Sequence, residues 1–235
     1  MIKFLKNIFK LIIINTPLYI IFNFIKNFIP NYKTKKKTLA IEKETYNNFI
    51  SFNNQKWFCN NLYFLKSNLK NKENIKNMLE IGSYEGRSAI FFLSHFSNST
   101  ITCVDTWGGG GSDEQKVLDS KIVEKNFDTN LKKYSELNKL KKFKATSNDF
   151  FNNNKDKFDL IYVDGDHSCD QVYIDINNSW KILNKNGFLI LDDYLWWFYK
   201  NLKMNPSTAI NSFIKDNYSE FSKIVVWKQI IIQKY

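Results

Sequence analysis

A parallel α/β sheet with helices on both faces, finished by an antiparallel hairpin, is the fold this sequence predicts. Three observations predict it. From Met78 onward, short apolar runs alternate with stretches of helical periodicity, the pattern of strands crossing over through helices. Glycines and aspartates gather where those apolar runs end, the edge at which such sheets bind ligands. The last segment, KIVVWKQIIIQK at Lys223–Lys234, reads as two strands in a tight antiparallel hairpin. The chain has 235 residues, 43% hydrophobic and 24% charged. That is enough for one full-sized domain with a real core, and it excludes wholesale disorder.

Residues 1–41 form a basic, hydrophobic appendage. They hold eight of the 34 basic residues and no acid, which leaves 26 basic against 23 acidic residues, or +3 of the net +11, for everything else. Arg87 is the single arginine, and arginine dominates base and phosphate-fork recognition. The charge therefore does not predict a nucleic-acid partner. The uncharged stretch Leu11–Ile25 is 15 residues long and contains Pro17, short of the roughly 20 that a spanning helix needs. No small-residue cleavage site follows it. Two readings stay open. Residues 1–37 can lie on an anionic membrane surface through their aromatic, isoleucine and lysine side chains. Equally, they can form a helical pair packed on the main domain or on a second copy in a homo-oligomer. Cys59, Cys103 and Cys169 are scattered and odd in number. They predict a reducing compartment, the cytoplasm or the inner face of its membrane, and no disulfide framework.

Residues 42–76 read as a helical cap. Trp57, Phe58, Leu62, Phe64 and Leu65 recur at helical spacing and are expected to pack onto the main domain. Tyr46, Phe49 and Trp57 are the alternative candidates for a substrate entrance.

In residues 77–235, Met78–Ile81, Thr100–Val104, Phe143–Ala145, Phe158–Val163 and Phe188–Leu191 read as buried strands. Arg87–Phe96, Glu114–Leu137 and Ser168–Leu183 read as the helices between them, with one more near Thr208–Lys215. After the first strand comes Glu80-Ile81-Gly82-Ser83-Tyr84-Glu85-Gly86-Arg87-Ser88. Its glycines allow a sharp turn with close backbone approach, and the next helix offers free N–H groups to an anion. Gly82 and Gly86 are four apart, so this is not the dinucleotide fingerprint. Asp105 ends the second strand, where a carboxylate can accept both hydroxyls of a ribose; it also suits a plain loop aspartate. Together they point to an adenosine-type ligand. Gly108–Gly111 is a four-glycine run that suits a closing loop or a slack connection.

Leu79–Ala89 (LEIGSYEGRSA) resembles the first motif of class I S-adenosylmethionine-dependent methyltransferases. It is similar above all to the catechol O-methyltransferase-like branch and to the family 24 methyltransferases, over about residues 76–195. The resemblance implies a Rossmann-like seven-stranded sheet and S-adenosyl-L-methionine as cofactor. It implies that Glu80, Gly82, Tyr84 and Ser88, on the loop carrying Ser83 and Gly86, surround the methionine part. Asp105 then holds the ribose, and Ser147 and Asn148 edge the adenine. Trp107 stacks nearby or is simply buried.

The fourth strand ends in Asp164-Gly165-Asp166-His167 and the fifth in Asp192-Asp193. Three or four carboxylates on neighbouring strand ends repel one another unless a cation sits among them, and all-oxygen ligands suit Mg²⁺. The alternative is that Asp164 or Asp166 caps the following helix while Asp192 and Asp193 face water. The metal-dependent relatives place ligands at the positions of Asp164, Asp192 and Asp193, and a basic residue at that of His167. The implied reaction is metal-assisted O-methylation. His167 takes the proton from a hydroxyl of a small-molecule or saccharide substrate, a vicinal diol being the natural acceptor. Two rivals are an NAD-dependent oxidoreductase, disfavoured by the missing third glycine, and a non-catalytic, membrane-tethered binding module. His95, the other histidine, reads as a packed helix residue.

Overall fold

The computed structural model describes Ile25 and residues 34–235, apart from residues 55, 70–71, 109–119 and 197–198. Nearly all of the appendage, and Gly109–Gly111 of the glycine run, lie outside the described residues. Among the described residues, no helix is long and apolar enough to cross a membrane.

Seven strands form one sheet in the order β3-β2-β1-β4-β5-β7-β6. They are β1 (Asn77–Ile81), β2 (Thr100–Asp105), β3 (Leu140–Lys144), β4 (Phe158–Val163), β5 (Leu183–Leu191), β6 (Phe221–Val226) and β7 (Ile230–Lys234). The first five run parallel, β7 runs antiparallel to β5, and β6 antiparallel to β7. The expected parallel sheet with a terminal hairpin is therefore the observed one. Register decides where chemistry can gather. Ile81 is level with Val104 and Val163, and Val163 with Leu191. The next residue on each strand, Gly82, Asp105, Asp164 and Asp192, therefore falls in one row along the carboxyl edge.

The helices that cover the sheet are α3 (Arg87–His95), α4 (Ser120–Glu136), α5 (Ser147–Asn153), α6 (Cys169–Ile182) and α7 (Pro206–Asp216). Alternate strand side chains enter two cores. Met78, Leu160, Ile190 and Ile231 pack with Phe91, Phe92, Phe127 and Leu131 on one face. Leu79, Ile161, Leu189 and Ile232 pack with Ile176, Trp180, Ile210 and Phe213 on the other. Burying each such side chain contributes about 1.5–3 kcal/mol. His95 is buried against Phe91 and Phe96, as a packed helix residue.

Four element boundaries differ from the sequence expectation, the fifth strand among them, since it begins at Leu183 rather than Phe188. The third strand begins at Leu140 and ends at Lys144, rather than covering 143–145. It is an edge strand of sequence LKKFK, largely exposed, and its lysines blunt the open edge. Helix α5 stands where the sequence reading assigns no element; Thr146 caps it by accepting from the Asp149 N–H at 3.1 Å. Residues 42–76 are not one helical stretch. The preceding helix, α1 (Lys35–Thr45), ends there, an irregular strap follows, and α2 (Leu62–Asn68) comes after a 3₁₀ turn at Phe58–Asn61. Phe58, Leu62, Phe64 and Leu65 pack inward as expected, whereas Trp57 is 60% exposed.

The strap is tied to the loop after β1. Phe52 N–H donates to Glu85 Oε1 at 2.7 Å, and the Tyr46 hydroxyl donates to the Arg87 carbonyl at 2.8 Å. The Arg87 guanidinium lies 3.9 Å from the centre of the Phe49 ring and 5.0 Å from that of Tyr46. Such contacts are worth about 0.5–2 kcal/mol each. Tyr46 and Phe49 thus fasten the strap to the main domain.

Candidate active site at the strand ends

The turn after β1 is shaped by two glycines at positive φ. At Gly82 (φ +84°) a Cβ would stand 2.0 Å from the Asp164 carbonyl oxygen. Only glycine lets the β1 turn lie directly against the end of β4, and this contact sets the loop beside the acidic residues. Gly86 (φ +81°) occupies the N-cap position of α3 without a side-chain cap, leaving N–H groups of the first turn available to an anion.

Glu80 is fully buried on β1. Burial pushes its carboxyl up to about 7, against the nearby Ser88 and Ser83 hydroxyls and the Cys103 thiol, which pull it down. Its Oε1 makes no hydrogen bond, and neither does the buried Ser83 Oγ or Tyr84 hydroxyl. A buried polar atom left unbonded costs about 1–3 kcal/mol, so three at the end of β1 and in the turn after it mark a place where a polar ligand belongs. Burial, followed by the Glu85 charge, raises the Tyr84 phenol to about 12.

Asp105 holds this loop in shape. Its Oδ2 accepts from the Ser83 and Tyr84 N–H groups at 2.9 and 2.8 Å, and its Oδ1 from the Trp107 N–H at 2.7 Å. A carboxylate has about four acceptor sites, so room for a ribose hydroxyl remains. Trp107 is the buried alternative of the two expected: its indole N–H donates to the Tyr84 carbonyl at 2.8 Å and its ring packs on Phe127. Ser147 and Asn148, at the start of α5, are bridged by the Gln171 side-chain amide, 3.2 Å from Ser147 Oγ and from Asn148 Oδ1. Gln171 Nε2 also donates to the buried Asp175 at 2.9 Å, a residue that no motif marks in the sequence.

At the other end of the row, Asp164, His167 and Asp193 bring ligand atoms within 4.8 Å of one another. His167 Nε2 is 2.9 Å from Asp193 Oδ2 and 3.8 Å from Asp164 Oδ1. The three side chains are 24–28% exposed, open at the rim and closed below. Burial raises the Asp164 carboxyl well above the usual range, the Asp192 charge adds to this, and the His167 hydrogen bond opposes it. Burial acts to lower the His167 imidazole, but its hydrogen bonds to Asp164 and Asp193 and their charges outweigh this and raise it to about 11.

Asp192 is turned toward other partners. Its Oδ2 accepts from the Tyr162 hydroxyl and from Gln229 Nε2, and its Oδ1 from the Asp193 N–H at 2.8 Å. The expected trio of Asp164, Asp192 and Asp193 is thus adjacent, with His167 in the tightest cluster and Asp192 one hydrogen bond removed. Burial and the Asp193 charge lift Asp192 to about 6. Asp166 Oδ1 accepts from the Ser168 N–H at 2.7 Å, which fixes the turn just ahead of α6, and the helix itself has no side-chain cap. Trp196, with its ring centre 4.9 Å from that of His167, walls the site and meets Tyr199 on its far side.

Chemically, the row offers a cradle for a polar, adenosine-like ligand at β1–β2. Beside it, at β4–β5, lies an acidic cluster with a histidine. A family model described as a methyltransferase domain matches residues 79–194. The chain is 24% identical over 144 residues to an uncharacterized protein of Acanthamoeba polyphaga mimivirus, covering 59% of each; it thus spans about three-fifths of that relative's length. A protein from Staphylococcus aureus described as a caffeoyl-CoA O-methyltransferase superposes with a TM-score of 0.55 at 16% identity, covering 89% of this chain and 98% of that one. MycE, a methyltransferase of the mycinamycin biosynthetic pathway solved with Mg and S-adenosylhomocysteine, superposes with a TM-score of 0.55 at 13% identity. That match covers 84% of this chain and 54% of MycE. At these identities the two structures speak for the fold.

Proposed function

Since the chain belongs to the class I S-adenosylmethionine-dependent methyltransferases through its methyltransferase domain, we propose that it is a divalent-cation-assisted O-methyltransferase. Its acceptor, in this reading, is a hydroxyl of a sugar, a glycan or another small molecule bearing a vicinal diol. One observation carries the reading: the Gly82 turn touches the Asp164 backbone, so a donor in the turn and a hydroxyl at Asp164, His167 and Asp193 are neighbours.

The residues fit the donor. Glu80 Oε1, Ser83 Oγ and the Tyr84 hydroxyl are buried and unbonded, suited to an amino acid's polar groups, and the α3 N-terminus suits its carboxylate. S-adenosylmethionine supplies a sulfonium-borne methyl group that leaves without needing an acid. Asp105 keeps the loop rigid through three N–H contacts, and Ser147 and Asn148 offer polar edges for a base.

The residues also fit a hard cation. Asp164 and Asp193, with Asp192 beside them, offer carboxylate oxygens, and three acids so close to one another need positive charge. Mg²⁺ at this place supplies Lewis acidity that lowers the pKa of a bound hydroxyl. His167 is the base at the same rim, oriented by Asp193 through Nε2. Trp196 stands beside it, with its ring centre 4.9 Å from that of His167.

The test is turnover with S-adenosylmethionine and a panel of vicinal diols, including free and lipid-linked saccharides. Methylated product formed with Mg²⁺ and lost on chelation supports the reading; equal turnover in chelator removes the cation from it. For residues 1–37 we retain the membrane-surface proposal, supported by their eight lysines against no acid. Anionic liposomes are expected to co-sediment the full chain and not a chain lacking residues 1–38. Equal sedimentation of the two would remove the anchor.

A further inference from the structure

Gln229 lies in the turn between β6 and β7, and its side chain is fully buried. Its Nε2 donates to Asp192 Oδ2 at 2.9 Å and to the Tyr162 hydroxyl at 3.2 Å. Tyr162, fully buried on β4, places that hydroxyl 3.1 Å from Asp164 Oδ2 and in hydrogen-bond contact with Asp192 Oδ2. The turn itself is pinned: Trp227 N–H donates to the Gln229 carbonyl at 2.8 Å, and Tyr194 N–H to the Lys228 carbonyl at 3.0 Å. The antiparallel hairpin therefore reaches back under the acidic rim and delivers a fixed amide to it.

A phenol has one proton and cannot donate to two carboxylates at once. The Gln229 amide supplies the missing donor, so Asp192 can be held while Tyr162 serves the pair. A residue that merely filled this space would be apolar, because a buried amide with an unbonded carbonyl is costly. Gln229 Oε1 is such a carbonyl: buried and without a hydrogen bond.

We propose that Gln229 and Tyr162 are positioning residues that hold the Asp192 and Asp164 carboxylates side by side, so that Asp164 is set toward the cation site it forms with Asp193. The proposal rests on the cation reading above and extends it to two residues that touch neither donor nor acceptor. Outer partners of metal-ligating carboxylates typically matter by about 10–100-fold in metal affinity.

The test uses the full chain and Mn²⁺ as probe, its binding followed by electron paramagnetic resonance. Gln229→Met keeps the volume and removes both amide donors; Tyr162→Phe keeps the ring and removes the hydroxyl. Each is expected to weaken Mn²⁺ binding by about 10-fold or more and to change S-adenosylhomocysteine affinity by less than about twofold. Equal Mn²⁺ affinity in both variants, with or without a fall in melting temperature, would mean a structural role only and overturn the proposal. Parallel loss of Mn²⁺ and S-adenosylhomocysteine would mean collapse of the rim and overturn it too. If Gln229→Met does not fold, Tyr162→Phe alone decides. A wild-type chain that binds no Mn²⁺ removes the cation reading and this inference together; wild-type binding with unaffected variants removes only the inference.

Discussion

His167 Nε2 stands 2.9 Å from Asp193 Oδ2, so the proposed base is hydrogen-bonded to a proposed cation ligand. Its imidazole titrates near 11 in this arrangement, above the ordinary value of about 6.5. A raised histidine contributes stability that is fully present below about pH 6.5 and is lost as pH rises through about 11. At neutral pH the cation-free site therefore carries a protonated histidine, which cannot act as a base. With a divalent cation held by Asp164 and Asp193, those carboxylates would no longer stabilise the imidazolium, and its pKa would fall. Calorimetric titration of Mg²⁺ at pH 7.5, in buffers of different ionisation heat, is expected to show release of about one proton per ion. Release that is absent, or unchanged in His167→Ala, would leave the histidine outside the exchange.

Asp192 shifts stability in the same direction, in a lower pH window. Its folded-state value of about 6 lies above the unfolded value of about 3.9. The cation-free protein therefore loses stability as pH rises from about 4 through about 6. Asp192→Asn removes this loss and keeps an acceptor for the Tyr162 and Gln229 donors, giving up only the Asp193 N–H contact. In chelator at pH 8 the variant is expected to be more stable by about 1–3 kcal/mol, with the gap closing below pH 4, while Mg²⁺-dependent activity disappears. Thermal melts across that range decide; a variant less stable at pH 8 would contradict the strained acidic rim.

Glu80 predicts a pH dependence for donor binding. Its carboxyl titrates near 7 because it is buried, and an ammonium group on the ligand favours the ionised form. Affinity for S-adenosylhomocysteine is expected to rise with pH up to about 7 and then level off. Glu80→Gln is expected to flatten that rise and weaken binding by about 10-fold or more, the scale of one charge-assisted hydrogen bond. An unchanged pH profile in the variant would place the ligand's amino group elsewhere.

Gly82→Ala tests the junction of turn and acidic rim. A methyl group there meets the Asp164 carbonyl at 2.0 Å on a backbone with φ of +84°. The two strands must part, at a cost of about 3 kcal/mol or more. Both S-adenosylhomocysteine binding and Mn²⁺ binding are expected to weaken together. Loss of one without the other would show that the two sites do not share this contact.

How much of this could be read from the chain depends on how far each signal reaches. Strands β1, β2 and β4 are apolar on both faces, and the residues ending them sit level in the sheet, so the row Gly82, Asp105, Asp164 was legible. Strand β3 was misplaced because an edge strand carries lysines where a central one carries valines. Helix α5 was overlooked although Thr146 and Asp149 form a local capping pair, a signal that was present in the sequence. Trp57 was expected inside by helical spacing, but the strap is not a continuous helix and the indole faces outward, 5.9 Å from Tyr84. Tyr162 and Gln229 were beyond reach. One looks like any buried strand aromatic and the other like a hairpin-turn residue, and their meeting spans 67 positions.

The most direct test is anomalous scattering from a crystal grown with S-adenosylhomocysteine and Mn²⁺. A manganese peak is expected among Asp164, Asp192 and Asp193, with the homocysteine end of the ligand in the Glu80–Ser88 turn facing it. A crystal with that ligand in place and no manganese at those carboxylates would contradict the cation reading.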